Sequence, residues 1–175
     1  MDYMKHIVVL IIIVFTFTAC GTKQIIKNEV LEQKENNVSK LYSKVISLSE
    51  DIDKQEAKKF SQEVIFFSKK LAFEYEVQTP ALIHNTLINL GLKQRGLCYH
   101  YANDLLSFLK SKNFKTINFK KVIAKRGEYF EHTALILTRD DIKFENAIIF
   151  DAWRDSGELF FSSIKDDNRY KWELK

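Results

Sequence analysis

Residues 98–125 read CYHYANDLLSFLKSKNFKTINFKKVIAK, and the change of pattern inside this stretch decides the fold class. Leu105, Leu106 and Leu109 recur at steps near 3.6 and mark the buried face of a helix from about Cys98 to Lys112. From Phe114 the pattern changes to that of strands, the first expected over Thr116–Lys125. Three more follow downstream, at about Tyr129–Thr138, Ala147–Trp153 and Leu159–Ser162. Charged or glycine-containing turns separate them at Arg126-Gly127-Glu128, Arg139-Asp140-Asp141 and Arg154-Asp155-Ser156-Gly157. Strands joined by short turns pair antiparallel.

Upstream the pattern stays helical. Val38, Leu41, Tyr42, Val45, Ile46 and Leu48 outline one helix. Phe60, Val64, Phe67, Leu71 and Tyr75 outline a second, from about Ile52 to Glu76, capped within Ser49-Glu50-Asp51. The aromatic run Phe60, Phe66, Phe67, Phe73 and Tyr75 reads as core rather than as a cofactor box. Thr79-Pro80 reads as an N-cap with proline at the first helical position. The short helix it opens runs through Leu82, Ile83, Leu87 and Leu90 to Gly91, and His84 on it reads as a surface residue. The expected fold is therefore α+β, a helical N-terminal half followed by an antiparallel sheet, in one domain over 38–175.

The N-terminus has a different character. Lys5 and His6 form a short basic segment, Ile7 to Phe17 is apolar and uncharged, and Thr18-Ala19 are small residues before Cys20-Gly21. The apolar run is about half the ~20 residues that a bilayer core requires, so residues 1–19 read as a secretion signal and not a spanning helix. Phe17-Thr18-Ala19-Cys20 resembles the lipobox of bacterial lipoproteins, with Phe17 in place of the usual aliphatic residue. That resemblance implies cleavage before Cys20, thioether lipidation of its sulfur and membrane attachment through the lipid. Because Gly21 is not the aspartate that retains such lipoproteins in the inner membrane, it also implies the outer membrane, periplasmic side, in a cell with two membranes. An uncleaved short anchor is the other reading, and it too leaves the chain tethered outside the cytoplasm. Gly21 to about Asn37 is polar and reads as a tether.

Asp2 and Lys5 cancel in the signal, so the remainder keeps the formal net charge of +4. There is no long Lys/Arg block, no nucleic-acid function is read from the balance, and no Gly-rich phosphate loop is present. The expected partners are the membrane and a peptide or protein of the cell envelope, and no cofactor is expected.

The chain has two cysteines. With Cys20 assigned to lipid, Cys98 has no partner for the disulfide usual outside the cytoplasm. It reads either as a buried structural thiol or as a nucleophile. Three segments favour the second: Arg95-Gly96-Leu97-Cys98-Tyr99-His100-Tyr101-Ala102, Glu131-His132-Thr133-Ala134 and Phe150-Asp151-Ala152-Trp153. Thiol chemistry requires a thiolate. The first turn of a helix favours negative charge through its unpaired N–H groups. An imidazole takes the proton, and a carboxylate behind the ring fixes its orientation. His132 reads as that base or as a satisfied core histidine. Asp151 reads as the orienting group or as a carboxylate paired with Arg154 or a turn amide. Backbone N–H groups near Cys98 can face an oxyanion, and Gln94 is a weaker side-chain candidate, as are Tyr99 and Trp153 for contacts to substrate. A metal reading has Cys98, His100, His132 and Asp151 as ligands. Positions i and i+2 on a helix point about 200° apart, which argues against it, and no Cys-x-x-Cys or His-Glu-x-x-His is present.

Gly96-x-Cys98 at a helix start, His132 on a following strand and Asp151 on the next resemble the transglutaminase-like branch of the papain-like cysteine enzymes over about residues 80–155. The step from Cys98 to Ala102 is similar to that family's nucleophile helix. The resemblance implies Cys98 as nucleophile, His132 as general base and acid and Asp151 as the orienting group. It implies hydrolysis or acyl transfer at an amide bond. Thr133 stands where the family has tryptophan after the histidine, and Tyr99-His100-Tyr101 is not its usual sequence after the cysteine. These departures favour a second reading, a catalytically inactive binding or scaffold lipoprotein on the same fold.

Overall fold

The computed structural model describes residues 32–33 and 35–175. The signal, Cys20 and most of the expected tether lie outside the described residues. The chain divides into two units, Met1–Ser39 and Lys40–Lys175. In the first, residues 32–33 and 35–39 are helical, so helix begins ahead of the Val38 start read from the sequence. Among the described residues no helix is long and apolar enough to cross a membrane.

The second unit is α+β with the helices first. Helix α1 covers 40–46 and buries Leu41 and Val45. Helix α2, Lys54–Glu74, starts at Asp53, whose carboxylate accepts the Glu56 N–H at 2.8 Å. The cap thus lies just past the expected Ser49-Glu50-Asp51. Phe60, Val64 and Leu71 are buried on one stripe, and half-buried Phe67 stacks on Phe108 at 3.8 Å. Phe66 and Phe73, read as core, are instead 57% and 83% exposed, because their positions fall on the far side of that stripe.

Helix α3, Ala81–Asn89, is capped by Pro80 itself, and no side chain caps it. The Thr79 cap does not form. Buried His84 holds the approach to the helix instead, its Nδ1 accepting the Gln78 N–H at 3.1 Å. Helix α4, Cys98–Ser111, buries Tyr101, Ala102, Leu105 and Leu109.

The sheet has strands β1 (Asn118–Ala124), β2 (His132–Thr138), β3 (Ile148–Asp155), β4 (Glu158–Ser163) and β5 (Glu173–Leu174), in the order β4-β3-β2-β1-β5. All pairs are antiparallel, with Ala124 opposite His132 and Leu135 opposite Phe150. Strand β2 starts three residues later than the sequence pattern indicates. Residues 125–131 are consumed by successive turns, with Glu128 N–H on Lys125 O and Glu131 N–H on Glu128 O, so Tyr129 and Phe130 sit exposed in a loop. Two-residue β5 carries no periodicity and was not legible in advance.

Side chains alternate across the sheet. Leu135 and Phe150 face α4, and Phe150 meets Phe60 edge-on at 5.5 Å. On the other face Ala134, Ile136 and Ile149 pack with Val122, Ala124, Ala147 and Trp172, under Phe144, Phe160, Ile164 and Tyr170. Every residue of β2 is buried as a result. By alternation Asp151 and His132 belong to this second face, at the strand ends that lie beside the start of α4.

The β3–β4 turn locks onto α2. Gly157 has φ +102°, its carbonyl accepts the Ser68 hydroxyl at 2.7 Å, and a Cβ there would lie 2.3 Å from Ala72 Cβ. Gly157→Ala is expected to cost about 2–4 kcal/mol in urea unfolding, from backbone strain and overpacking together. The same change in an Ala72→Gly background should cost less, and equal costs in both backgrounds would show that the contact is not the cause.

Candidate active site

Helix α4 presents Cys98 as its first residue. The loop before it is held by two histidines. The Nε2–H of His84 donates to Arg95 O at 2.8 Å, which is the proton placement its Nδ1 bond to Gln78 N–H requires. Gly96, at φ +124°, lies flat against that ring, and a Cβ there would come within 2.4 Å of His84 Nε2. His84 is therefore fully buried and structural, not the surface residue expected, because the loop closes over it. His100 reaches back from the first turn, and its Nδ1 accepts the N–H groups of Gly96 (3.1 Å) and Leu97 (3.2 Å). Burial and then Arg95 push its pKa below 6.5, against the pull of Asp104, which keeps that acceptor available. This occupation removes His100 from any ligand set. Among the described residues, no group of three or more His, Cys, Asp or Glu is placed to hold a metal ion.

His132 is the first residue of β2, and its ring lines the same cleft as Cys98, whose presence helps raise the pKa of the imidazole. On the other side its Nε2 meets Asp151 Oδ2 at 2.6 Å. The nitrogen left for the thiol is Nδ1. His132 and Asp151 side chains are 3% and 1% exposed. The ring sits among Trp153 (4.8 Å), Tyr170 (4.7 Å) and Trp172 (5.5 Å), whose faces favour a cation. Cys98 is partly exposed and opens onto a cleft of about 230 Å³. Of the residues singled out from the sequence, Cys98, His132, Asp151 and Trp153 come together.

Gln94 and Tyr99 do not join them. Gln94 lines a separate depression with Glu74, Tyr75 and Lys93, because the loop turns at Gly96 between it and Cys98. Tyr99 is 44% exposed and its ring lies tilted against His100 at 4.2 Å, one residue around the helix from the thiol. The side-chain amide near the thiol is instead that of Asn85 on α3. Its Oδ1 accepts Trp153 Nε1–H at 3.0 Å, which leaves the NH₂ as its free group beside the cleft.

The carboxylate behind His132 is fully coordinated. The pairing of β3 with β4 is irregular between Asp151 and Asp155, and within that irregularity the N–H groups of Trp153 and Arg154 turn to Asp151 Oδ1, at 3.1 and 3.2 Å. Arg154 Nε approaches Oδ2 at 3.2 Å, and its guanidinium grips Asp167 at 3.1 and 2.7 Å. Asp167 also accepts Trp172 Nε1–H at 2.8 Å. Arg154 was read from the sequence as one alternative partner of Asp151, and it pairs with that carboxylate together with His132; Asp167, Tyr170 and Trp172 were not assigned to the site. The alternation of Tyr170 and Trp172 was the one signal that both face the same way.

Burial disfavours charge on both buried partners, and their attraction overcomes it. Burial alone would lower the His132 pKa, but Asp151, then Cys98, pushes it up to about 9 from 6.5. Burial would raise Asp151, but His132 and Arg154 hold it below 3.8. The folded state thus binds the His132 proton more tightly than the unfolded chain. The stability this provides is full below pH 6.5 and is lost as pH rises through about 9. The advantage of the native chain over His132→Gln in urea unfolding should accordingly shrink by about 1 kcal/mol or more across that interval. A difference that stays flat with pH would mean that the ring is not held charged.

No protein-family model, no curated protein and no solved structure matches the chain, so a functional reading must come from this geometry.

Proposed function

We propose that the chain is a membrane-tethered cysteine hydrolase or acyltransferase with a transglutaminase-like, papain-like core, acting on an amide bond of an envelope peptide or protein. The observation that carries the proposal is that Cys98 and His132 line one open cleft while Asp151 holds His132 Nε2 from behind at 2.6 Å, so that Nδ1 of the buried imidazole is the nitrogen left for the thiol. A structural thiol needs neither a cleft nor a charged histidine. The tether through lipid on Cys20 belongs to the same proposal and rests on residues 17–21 of the sequence.

In this reading the Cys98 thiolate attacks the amide carbonyl carbon while His132 carries the thiol's proton. The carbonyl π pair moves to oxygen, toward the first-turn N–H groups of α4 and the Asn85 amide. As the tetrahedral centre collapses, the C–N bond breaks and His132 Nδ1 gives its proton to the departing amine, leaving a thioester on Cys98. Water or a second amine then attacks the thioester, His132 takes its proton, and the C–S bond breaks to return the thiolate. Asp151 stays ionised throughout. It holds the ring with Nδ1 toward the thiol and offsets the imidazolium charge.

Alkylation of Cys98 by iodoacetamide tests the pair directly. An isolated thiol becomes unreactive as pH falls below about 8.5. In the native chain the rate at pH about 6 should stay within roughly threefold of the rate at pH about 8, because the imidazolium persists over that range. His132→Ala should restore a steep pH dependence, with a loss of tenfold or more at pH about 6. A Cys98 that reacts only on unfolding, or identically in both proteins, would favour the binding-module reading.

A further inference from the structure

The proposed reaction fixes where an acyl group must sit, and the walls of the cleft indicate what that group carries. Two cations from separate segments face the opening, Lys125 from the β1–β2 loop and Arg169 from the C-terminal segment. Both are exposed, and neither side chain makes an ion pair among the described residues. Each lies instead over an aromatic ring: Lys125 Nζ is 5.8 Å from the centre of Phe130, and the Arg169 guanidinium is 5.4 Å from that of Tyr170. A ring holds a cation at the wall without neutralising it. Lys69, Arg95 and Arg126, by contrast, have carboxylates within 2.5–2.7 Å.

Among the described residues, the single acidic residue lining the opening is already engaged. Glu131 accepts the Gly127 N–H at 2.9 Å and has the Lys175 ammonium 3.9 Å away. The interior adds no negative excess, because Asp151 and Asp167 are matched by His132 and Arg154. The opening is therefore positive in a cleft whose apolar walls, Tyr129 and Phe130, stand 88% and 59% exposed. Charges of one sign around a cleft raise the local concentration of an oppositely charged ligand.

We infer that the cleft selects an acidic peptide as acyl donor, one with a carboxylate close to the scissile amide, held between Lys125 and Arg169. The inference rests on Cys98 acylation as proposed above and adds the charge of the substrate to it.

Charge-matched thiol reagents test it without a known substrate. Methanethiosulfonates with a sulfonatoethyl (anionic) or trimethylammonioethyl (cationic) group are applied to the full chain, with the neutral methyl reagent normalising for Cys98 exposure. The anionic reagent should win by about tenfold or more. In Lys125→Gln/Arg169→Gln that preference should fall to roughly threefold or less, the remainder belonging to His132, which both proteins retain. An unchanged preference in the double variant, or a faster cationic reagent, overturns the inference and leaves the Cys-His reading intact. Failure of the neutral reagent to label folded protein overturns both.

Protection from the neutral reagent then locates the carboxylate. The probes are a tripeptide amide with central glutamate, its glutamine counterpart, and the glutamine peptide with a free C-terminal carboxylate. A side-chain carboxylate site predicts protection by the first at about tenfold lower concentration than the second, and a terminal site predicts it for the third. Equal protection by all three overturns the inference.

Discussion

A carboxylate with almost no solvent exposure must find all its partners inside the fold, and the architecture around Asp151 is organised to supply them. Its two oxygens receive His132 Nε2, Arg154 Nε and the N–H groups of Trp153 and Arg154. Two of those donors exist only because strand pairing is broken beyond Asp151. A third, Arg154, is held from behind by Asp167 and lies 3.7 Å over the Phe160 ring. The C-terminal segment supplies Asp167, Tyr170 and Trp172 and so completes the coordination. Buried ion pairs are weak contributors to stability, since desolvation consumes much of their attraction. What this network does well is orientation, because each group is bonded on more than one side.

Charge bookkeeping shows why the proton stays on the ring. Asp151, Asp167, Arg154 and protonated His132 sum to zero within a nearly dry region. Removal of the His132 proton leaves an uncompensated negative charge there, which a low-dielectric interior resists. Cys98 adds a further pull on that proton. The surrounding rings of Trp153, Tyr170 and Trp172 stabilise the imidazolium by their negative faces. His100, one turn away, is treated oppositely. It sits near Arg95, and its Nδ1 serves as acceptor for two backbone amides, so protonation would break the start of the helix. Identical side chains thus serve as cation and as cap according to the charges facing them.

The period change near Phe114 made the α+β order legible, and the lone thiol after Gly96 made Cys98 legible. Strand alternation allowed His132 and Asp151 to lie side by side on adjacent strands, but the register was not readable: Ala134, rather than His132, continues the β2–β3 pairing opposite Asp151, so the two meet diagonally. What stayed hidden depended on irregular backbone. The late start of β2 comes from a chain of turns through Glu128 and Glu131, and the burial of His84 comes from a loop folding over it. Neither leaves a periodic trace. Asn85 was concealed for a related reason: its amide is selected by the Trp153 indole across 68 residues, and no local pattern encodes such a distance.

The two electrostatic regimes of the site are separated by depth, and that separation has a consequence for chemistry. The inner network is closed and neutral, so it sets the state of His132 without projecting a strong field outward. The rim is open and unbalanced, with Lys125 and Arg169 held by rings that leave their charge intact. Solvent screens charges at the rim within about 10 Å in ordinary salt, while buried pairs are screened far less. In the proposed reaction, recognition at the rim should therefore weaken with ionic strength, while protonation of His132 should not. If Cys98 is the nucleophile proposed, one cleft in this way tunes which substrate it admits without disturbing the group behind it.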